Sequence, residues 1–135
     1  MNDTINTRSP EPARKLPLFK KPLHDKITVE AIDQPGPGGA NHAYAIGVDH
    51  GPDCQFPMIF PISFQKGAVN EAGVNGISDE CLLAIVKDRL QGFQRGEFSC
   101  RENAIALTKL EECIMWLNKR SADRIERGVE GYAKK

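Results

Sequence analysis

The sequence has no excess of charge, since 18 Lys and Arg residues balance 18 Asp and Glu residues over 135 positions. A neutral chain lacks the positive field that drives sequence-independent binding to polynucleotides or anionic lipid, so neither bulk nucleic acid nor a membrane surface is a predicted partner. Long apolar runs are missing too, because no stretch approaches the roughly 18 residues of a spanning helix, and the N-terminus shows no apolar signal-peptide core. These absences predict a soluble, intracellular protein.

Cysteine and histidine are sparse. The cysteines form no C-x-x-C pair, and no histidine lies at helical ligand spacing from another histidine or a cysteine. The cysteines are Cys54, Cys81, Cys100 and Cys113, and the histidines are His24, His42 and His50. Reduced cysteines in packing positions are therefore favoured over zinc ligands or disulfides, and no metal ligand is predicted.

Motifs of catalysis are also missing. G-x-S-x-G and H-E-x-x-H do not occur, and the adjacent Glu111 and Glu112 would point to different faces of a helix instead of forming a paired acid and base. The GPGG segment lacks the G-K-[ST] ending of a phosphate loop and precedes a strand. We therefore predict no catalytic residue and no cofactor, and a binding role in place of an enzymatic one.

The first half of the chain alternates apolar and polar residues with the period of strands. KITVEAID (26–33), AYAIGVD (43–49) and FPMIFPISF (56–64) predict a small antiparallel sheet. Pro57 and Pro61 place the third strand at an edge or a bulge, because each removes a ladder donor. Residues 1–23 are rich in proline and basic residues and predict a disordered or loosely docked arm. The predicted sheet part spans residues 24–78.

From Ser78 onward the apolar period becomes helical. One helix is predicted from Asp79 to the stop at Gly96, with a stripe of Leu82, Ile85, Val86, Leu90 and Phe93. A capping box from Ser99 to Glu102 predicts a second helix that runs to about residue 127, with the stripe Ala106, Leu107, Leu110, Cys113, Ile114 and Leu117. Residues 79–135 thus predict an antiparallel helical hairpin, and the fold class is α+β with residues 24–135 as one domain.

Two polar residues fall on the predicted apolar stripes. Arg89 lies near the middle of the first stripe, where either an ion pair with a carboxylate or a bound phosphate would satisfy its guanidinium. Asn103 lies on the second stripe, where a register-setting hydrogen bond is the structural alternative. Ile105 and Trp116 lie opposite that stripe, so either the sheet covers them or, as we favour, the chain is a homo-oligomer.

The segment that precedes the first helix is rich in glycine and asparagine, where a core would need larger side chains: FQKGAVNEAGVNGIS (64–78). Gly73 and Gly76 would let a ligand approach the backbone, the free N–H groups at the helix start favour negative charge, Asn75 suits a base edge or ribose, and Phe64 offers a stacking face. The alternatives are an ordinary asparagine-glycine turn and a core aromatic.

The stretch FQKGAVNEAGVNGISDECLLAIVKDRLQGFQRGEFSCRENAIALTKLEECIMWLNKR, followed by RIERGVEG, resembles the phage Thoeris anti-defence sponges, which share a helical hairpin with anti-CBASS sponges. The resemblance covers about residues 36–131, including GGANHAY, and depends on FQ-x-G, GVNG, RL-x-x-FQ-x-G, REN and RGVEG in this order. It implies a small antiparallel sheet before the hairpin, dimers or hexamers built from dimers, and sequestration without cleavage of cyclic ADP-ribose isomers, with cyclic di- or trinucleotides at separate sites in some members.

The same resemblance implies roles for particular residues. Phe64 would stack on adenine, Asn75 would hydrogen-bond the base or ribose, Arg89 and Arg95 are candidate phosphate ligands, and Arg101 and Asn103 would support a further site near the hairpin tip. Gln65 of FQ-x-G, Gly76 of GVNG and Phe93 of RL-x-x-FQ complete the predicted ligand contacts. The expected protein is an oligomeric sponge in the cytoplasm of the infected bacterial host; the alternatives are a phage structural or assembly protein and a small nucleotide-hydrolysing enzyme.

Overall fold

The computed structural model describes residues 13–53 and 55–135. The chain divides between Ser63 and Phe64 into two compact units. The first unit contains the sheet, and the second, Phe64–Lys135, contains the helical hairpin. The α+β class and the antiparallel sheet predicted from the sequence are confirmed.

The sheet has four antiparallel strands in the order β1-β2-β3-β4. They are β1 (Arg14–Lys15), β2 (Ile27–Ala31), β3 (Ala43–Val48) and β4 (Met58–Ser63). β4 lies at the edge of the sheet, one of the two placements predicted for it, with its Pro61 opposite Ala45 of β3. Most of the predicted N-terminal arm, residues 1–12, lies outside the described residues, but Arg14 and Lys15 of that arm pair with β2.

Short connections complete the first unit. Two 3₁₀ helices, Pro22–Lys26 and Pro37–Gly39, precede β2 and β3. Between β2 and β3, the Asp33 carboxylate accepts hydrogen bonds from the Asn41 side chain at 3.0 Å and the His42 backbone N–H at 3.0 Å, and Asn41 in turn accepts one from Arg14. Among the described residues, the buried apolar core of this chain is Ala31, which is 1% exposed.

The second unit contains three helices: α1 (Val69–Ala72), α2 (Asp79–Arg95) and α3 (Arg101–Glu126). The sequence predicted α2, and Gly96 ends it as expected; α1 was not predicted. α2 and α3 form the predicted hairpin, joined by a short turn in which the Gln94 side chain bonds both the N–H and the C=O of Cys100 at 3.2 Å. This two-point bond closes the turn.

Covered side chains recur every three and four residues along both α2 and α3, and we call these positions the hairpin seam. The covered positions follow the spacing of a coiled coil, in which the seam stays on one side of each helix. They include Glu80, Leu83, Lys87, Leu90 and Gln94 of α2, and Asn103, Leu107, Leu110, Ile114, Leu117, Ser121 and Arg124 of α3.

The predicted apolar stripes coincide with this seam only in part. Ile85, Val86 and Phe93 of α2 are exposed in the single chain, as are Ala106 and Cys113 of α3. The seam instead accepts polar side chains, among them Asn103, so hydropathy alone placed the covered face a fraction of a turn away from where it lies.

The two ends of α3 differ in how well the sequence predicted them. At its start the capping residue is Cys100, whose sulfur accepts from the Asn103 N–H at 3.4 Å, and not Ser99 as the capping box suggested. At its end Gly128 adopts φ +70°, while its N–H donates to the Ile125 carbonyl and the Val129 N–H donates to the Arg124 carbonyl. This is a Schellman stop at the predicted glycine.

Candidate functional site

The segment between the sheet and α2 folds back on itself, and we call residues 64–77 the crossed loop. Its two ends meet as a parallel bridge between Phe64 and Ile77, and the Gln65 N–H donates to the Ile77 carbonyl at 2.8 Å. Ile77 directly precedes Ser78, the N-cap residue of α2. The fold therefore brings the half-buried aromatic Phe64 to the N-terminal end of α2.

The Asn75 side chain braces the crossed loop from within. Its Oδ1 accepts from the Lys66 N–H at 2.7 Å, and its Nδ2 donates to the Lys66 carbonyl at 2.7 Å. An amide that pairs in this way with one residue's N–H and C=O replaces the contacts of a neighbouring strand. Asn75 thus has a structural role that its predicted ligand contact did not include.

The Gln65 side chain braces the same loop from its other arm. Its Oε1 accepts from the Asn75 N–H at 2.9 Å, and its Nε2 donates to the Gly73 carbonyl at 2.7 Å and the Gly67 carbonyl at 3.1 Å. Two amide side chains, Gln65 and Asn75, therefore supply five hydrogen bonds to a loop that contains little regular structure.

Gly76 lies where the two arms of the crossed loop approach most closely. A Cβ at this position would lie 2.5 Å from the Phe64 carbonyl oxygen and 2.6 Å from the Gln65 nitrogen, both of them backbone atoms. Because backbone cannot swing away as a side-chain tip can, any side chain here would force the two arms apart. Glycine at position 76 is therefore required by the approach of the loop's own backbone, in addition to any approach of a ligand.

The other predicted site residues are spread along the hairpin. Arg89 is exposed on α2 and stacks over the Phe93 ring, with 5.5 Å between Cζ and the ring centroid. The ion pairs among the described residues do not include Arg89, so none of these residues supplies the carboxylate partner considered for it. Arg95 ends α2, and Arg101 starts α3 two residues before Asn103 of the seam.

The candidate residues of one chain therefore form separate groups. Phe64, Gln65, Asn75 and Gly76 lie together in the crossed loop, at the opposite end of α2 from Arg95. With a rise of 1.5 Å per residue, the 17-residue α2 is about 25 Å long, which is longer than a nucleotide. The loop and the hairpin turn of one chain thus lie at opposite ends of α2.

The first turn of α2 combines a helix N-terminus with a perturbed thiol. The Ser78 hydroxyl makes no capping bond and lies 3.3 Å from the Cys81 sulfur. This hydrogen bond, together with one to the Ser78 backbone, lowers the pKa of the exposed Cys81 thiol below its usual value. Asp79 and Glu80 place carboxylates in the same turn, so an anionic ligand approaching the N–H groups would need basic side chains from elsewhere.

The burial of one residue of the second unit was not predicted from the sequence. Arg124 is 8% exposed, and its side chain donates hydrogen bonds only to the segment that follows α3. Its position three residues after Ser121 continues the seam spacing, and that spacing was the signal that could have marked it as covered.

Within residues 13–53 and 55–135, no three or more His, Cys, Asp or Glu side chains are grouped so that they could hold a metal ion. Within the same ranges no helix combines the length and apolar character needed to cross a bilayer.

Comparison with known proteins gives a family-model match and a similar phage protein. Residues 60–122 match the family model described as the Acb2/Tad1 hairpin domain. The chain is also 60% identical over 74 residues to "Thoeris anti-defense 1" of Bacillus phage SBSphiJ7, an alignment that covers 55% of this chain and 52% of that protein. The chain thus spans about half the length of the curated relative it matches. Together the two matches show that residues 60–122 are similar to the Acb2/Tad1 hairpin domain, and they support the Thoeris anti-defence family for this chain.

Proposed function

We propose that this protein is a phage anti-defence protein that acts as a sponge in the cytoplasm of the infected bacterium. It binds cyclic ADP-ribose type immune signals, with cyclic oligonucleotides as a second ligand class, and sequesters them without cleavage. The hairpin-domain match and the name of the 60% identical phage relative support the anti-defence role. The sponge mechanism and the ligands go beyond those matches and need their own test.

The observation that carries the ligand proposal is the bridge between Phe64 and Ile77. It brings an aromatic ring, able to stack on a base, to the N-terminal end of α2, whose backbone N–H groups attract a phosphate. The two groups suit the two parts of a nucleotide, its base and its phosphate. The Asn75 and Gln65 side chains hold the crossed loop, so the position of Phe64 at the start of α2 is set before a ligand arrives.

Assembly is part of this proposal, because one chain does not gather all of the expected ligand groups. The basic residues Arg95 and Arg101 lie at the hairpin turn, about 25 Å from the crossed loop along α2. A second hairpin packed antiparallel to the first would bring its turn beside the loop of its neighbour. Exposed apolar side chains offer the contact surface for such a homo-oligomer, a dimer or hexamer: Ile85, Val86, Phe93, Ile105, Met115 and Trp116.

A thermal-shift panel tests the ligand class. The purified protein is heated with cyclic ADP-ribose isomers, cyclic dinucleotides and cyclic trinucleotides, each with its linear counterpart as control. A ligand present at 100 times its dissociation constant adds about 2.7 kcal/mol of stability, so the expected result is a clear upward shift of the melting temperature with at least one cyclic compound. No shift with any compound would favour a phage assembly protein, and conversion of a cyclic compound to its linear form would favour an enzyme.

A further inference from the structure

The segment that follows α3 is organised by one nearly buried cation. The Arg124 guanidinium donates from Nε to the Glu130 carboxylate at 2.9 Å and from Nη2 to the carbonyls of Val129 at 3.0 Å and Tyr132 at 2.8 Å, and Nη1 bonds the Lys134 carbonyl. We call residues 127–135 the C-terminal turn. Charge-assisted bonds of this kind are the stronger hydrogen bonds of proteins, so Arg124 fixes the path of a segment that has no helix or strand of its own.

The C-terminal turn reaches the crossed loop at α1. The Gly131 carbonyl accepts from the Asn70 N–H at 2.9 Å, in the first turn of that helix. The N-cap residue of α1 is Ala68, which has no side-chain oxygen to satisfy such an N–H. The C-terminal turn therefore provides the cap that the local sequence lacks.

A helix of four residues is marginal by itself, so this cap matters for the whole loop. The C-terminal end of α1 is held in turn by Gln65, whose Nε2 donates to the Gly73 carbonyl at 2.7 Å while its Oε1 accepts from the Asn75 N–H. A continuous set of hydrogen bonds thus runs from Arg124 through the C-terminal turn and α1 to the two amide braces of the crossed loop.

We propose that Arg124 is a positioning residue for ligand binding: it holds the C-terminal turn against α1 and thereby sets the crossed loop, without contacting the ligand. This inference rests on the proposed function for its ligand and on the hydrogen bonds above for its structural part. A ligand-free measurement therefore accompanies the binding measurement, so that failure of either part can be recognised.

The matched pair is Arg124→Gln and Arg127→Gln. Both variants lose one arginine from the same end of the hairpin, but Arg127 is exposed and its side chain donates only to the Lys135 carbonyl, at 2.9 Å. Amide hydrogen exchange is measured at Lys66, Asn70 and Asn75 in the full chain, with the Leu110 amide of α3 as an internal control for global folding. Arg124→Lys, which keeps the charge, replaces Arg124→Gln if the latter does not fold.

The expected result is exchange at the three loop amides that is at least about tenfold faster in Arg124→Gln than in Arg127→Gln, with Leu110 unchanged. With the best ligand of the panel, Arg124→Gln should lose at least about tenfold in affinity relative to Arg127→Gln. Equal exchange in the two variants would overturn the proposal, and so would faster loop exchange with unchanged affinity. If the wild-type protein binds no compound of the panel, the proposed function fails, and the exchange data still decide whether the C-terminal turn supports the loop.

Discussion

Replacement of Asn75 by alanine should loosen the crossed loop even without a ligand. The substitution removes two hydrogen bonds of 2.7 Å to the Lys66 backbone, each worth about 0.5–1.5 kcal/mol net. Because Asn75 is exposed and water can replace part of the loss, the expected cost is in the lower half of that sum, about 1–2 kcal/mol. This corresponds to a roughly 5- to 30-fold change in the opening equilibrium of the loop.

Amide exchange of Lys66 measures this opening directly, since the Asn75 side chain accepts from that N–H. Asn70→Ala is the matched control: the same substitution in the same loop, at an exposed side chain that forms no hydrogen bond among the described residues. Lys66 exchange should rise in Asn75→Ala and stay near the wild-type rate in Asn70→Ala. Equal rates in the two variants would refute the bracing role and leave ligand contact as the reason for an asparagine at this position.

Three further predictions concern the sites described above. Phe64→Ala should weaken ligand binding by roughly 1–3 kcal/mol, the value of one base stack, in calorimetry on a protein that stays folded; unchanged affinity would make the ring a core residue. Arg89→Gln removes a stack on Phe93 worth about 0.5–1 kcal/mol at an exposed site, so the melting temperature of the ligand-free protein should change little. The affinity for the ligand should fall by about 1.5–3 kcal/mol if Arg89 contacts a phosphate. A large loss of ligand-free stability with affinity preserved would exclude a phosphate contact. The hydrogen bond from the His42 N–H lowers the pKa of Asp33 below 3.8. The ionised Asp33 carboxylate therefore stabilises the fold above pH 3.8, and this stabilisation is lost as the pH falls through the lower pKa of the folded state. Urea unfolding at pH 2 to 6 should therefore show a smaller difference between wild type and Asp33→Asn at the acid end, and a constant difference would contradict this.

Regular structure in this protein was predictable because it repeats. Alternation identified β2, β3 and β4, and Gly96 and Gly128 marked the ends of the two long helices. Pro61 of β4 and the preceding Pro57 indicated an edge or a bulge, and β4 lies at the edge. These signals act between residues that are near in sequence, where side-chain period and backbone geometry leave few alternatives.

The arrangement inside the crossed loop was not predictable in this way. Asn75 and Gln65 bond backbone groups up to ten residues away, and α1 depends on a carbonyl from Gly131, near the far end of the chain. No local pattern encodes which backbone group an amide will meet. The sequence therefore indicated a special loop and its glycines, but only the fold distinguishes amides that brace the loop from groups left to contact a ligand.

The central claim, binding without cleavage, is tested most directly by the state of the signal after binding. The protein is incubated with the compound that gives the largest thermal shift, separated from free compound by filtration, and denatured, and the released compound is analysed by mass spectrometry, with Phe64→Ala as the weak-binding control. We expect the intact cyclic compound, retained by the wild-type protein in an amount that approaches its number of sites and retained less by the variant. Recovery of a linear product, or equal retention by both proteins, would contradict the account.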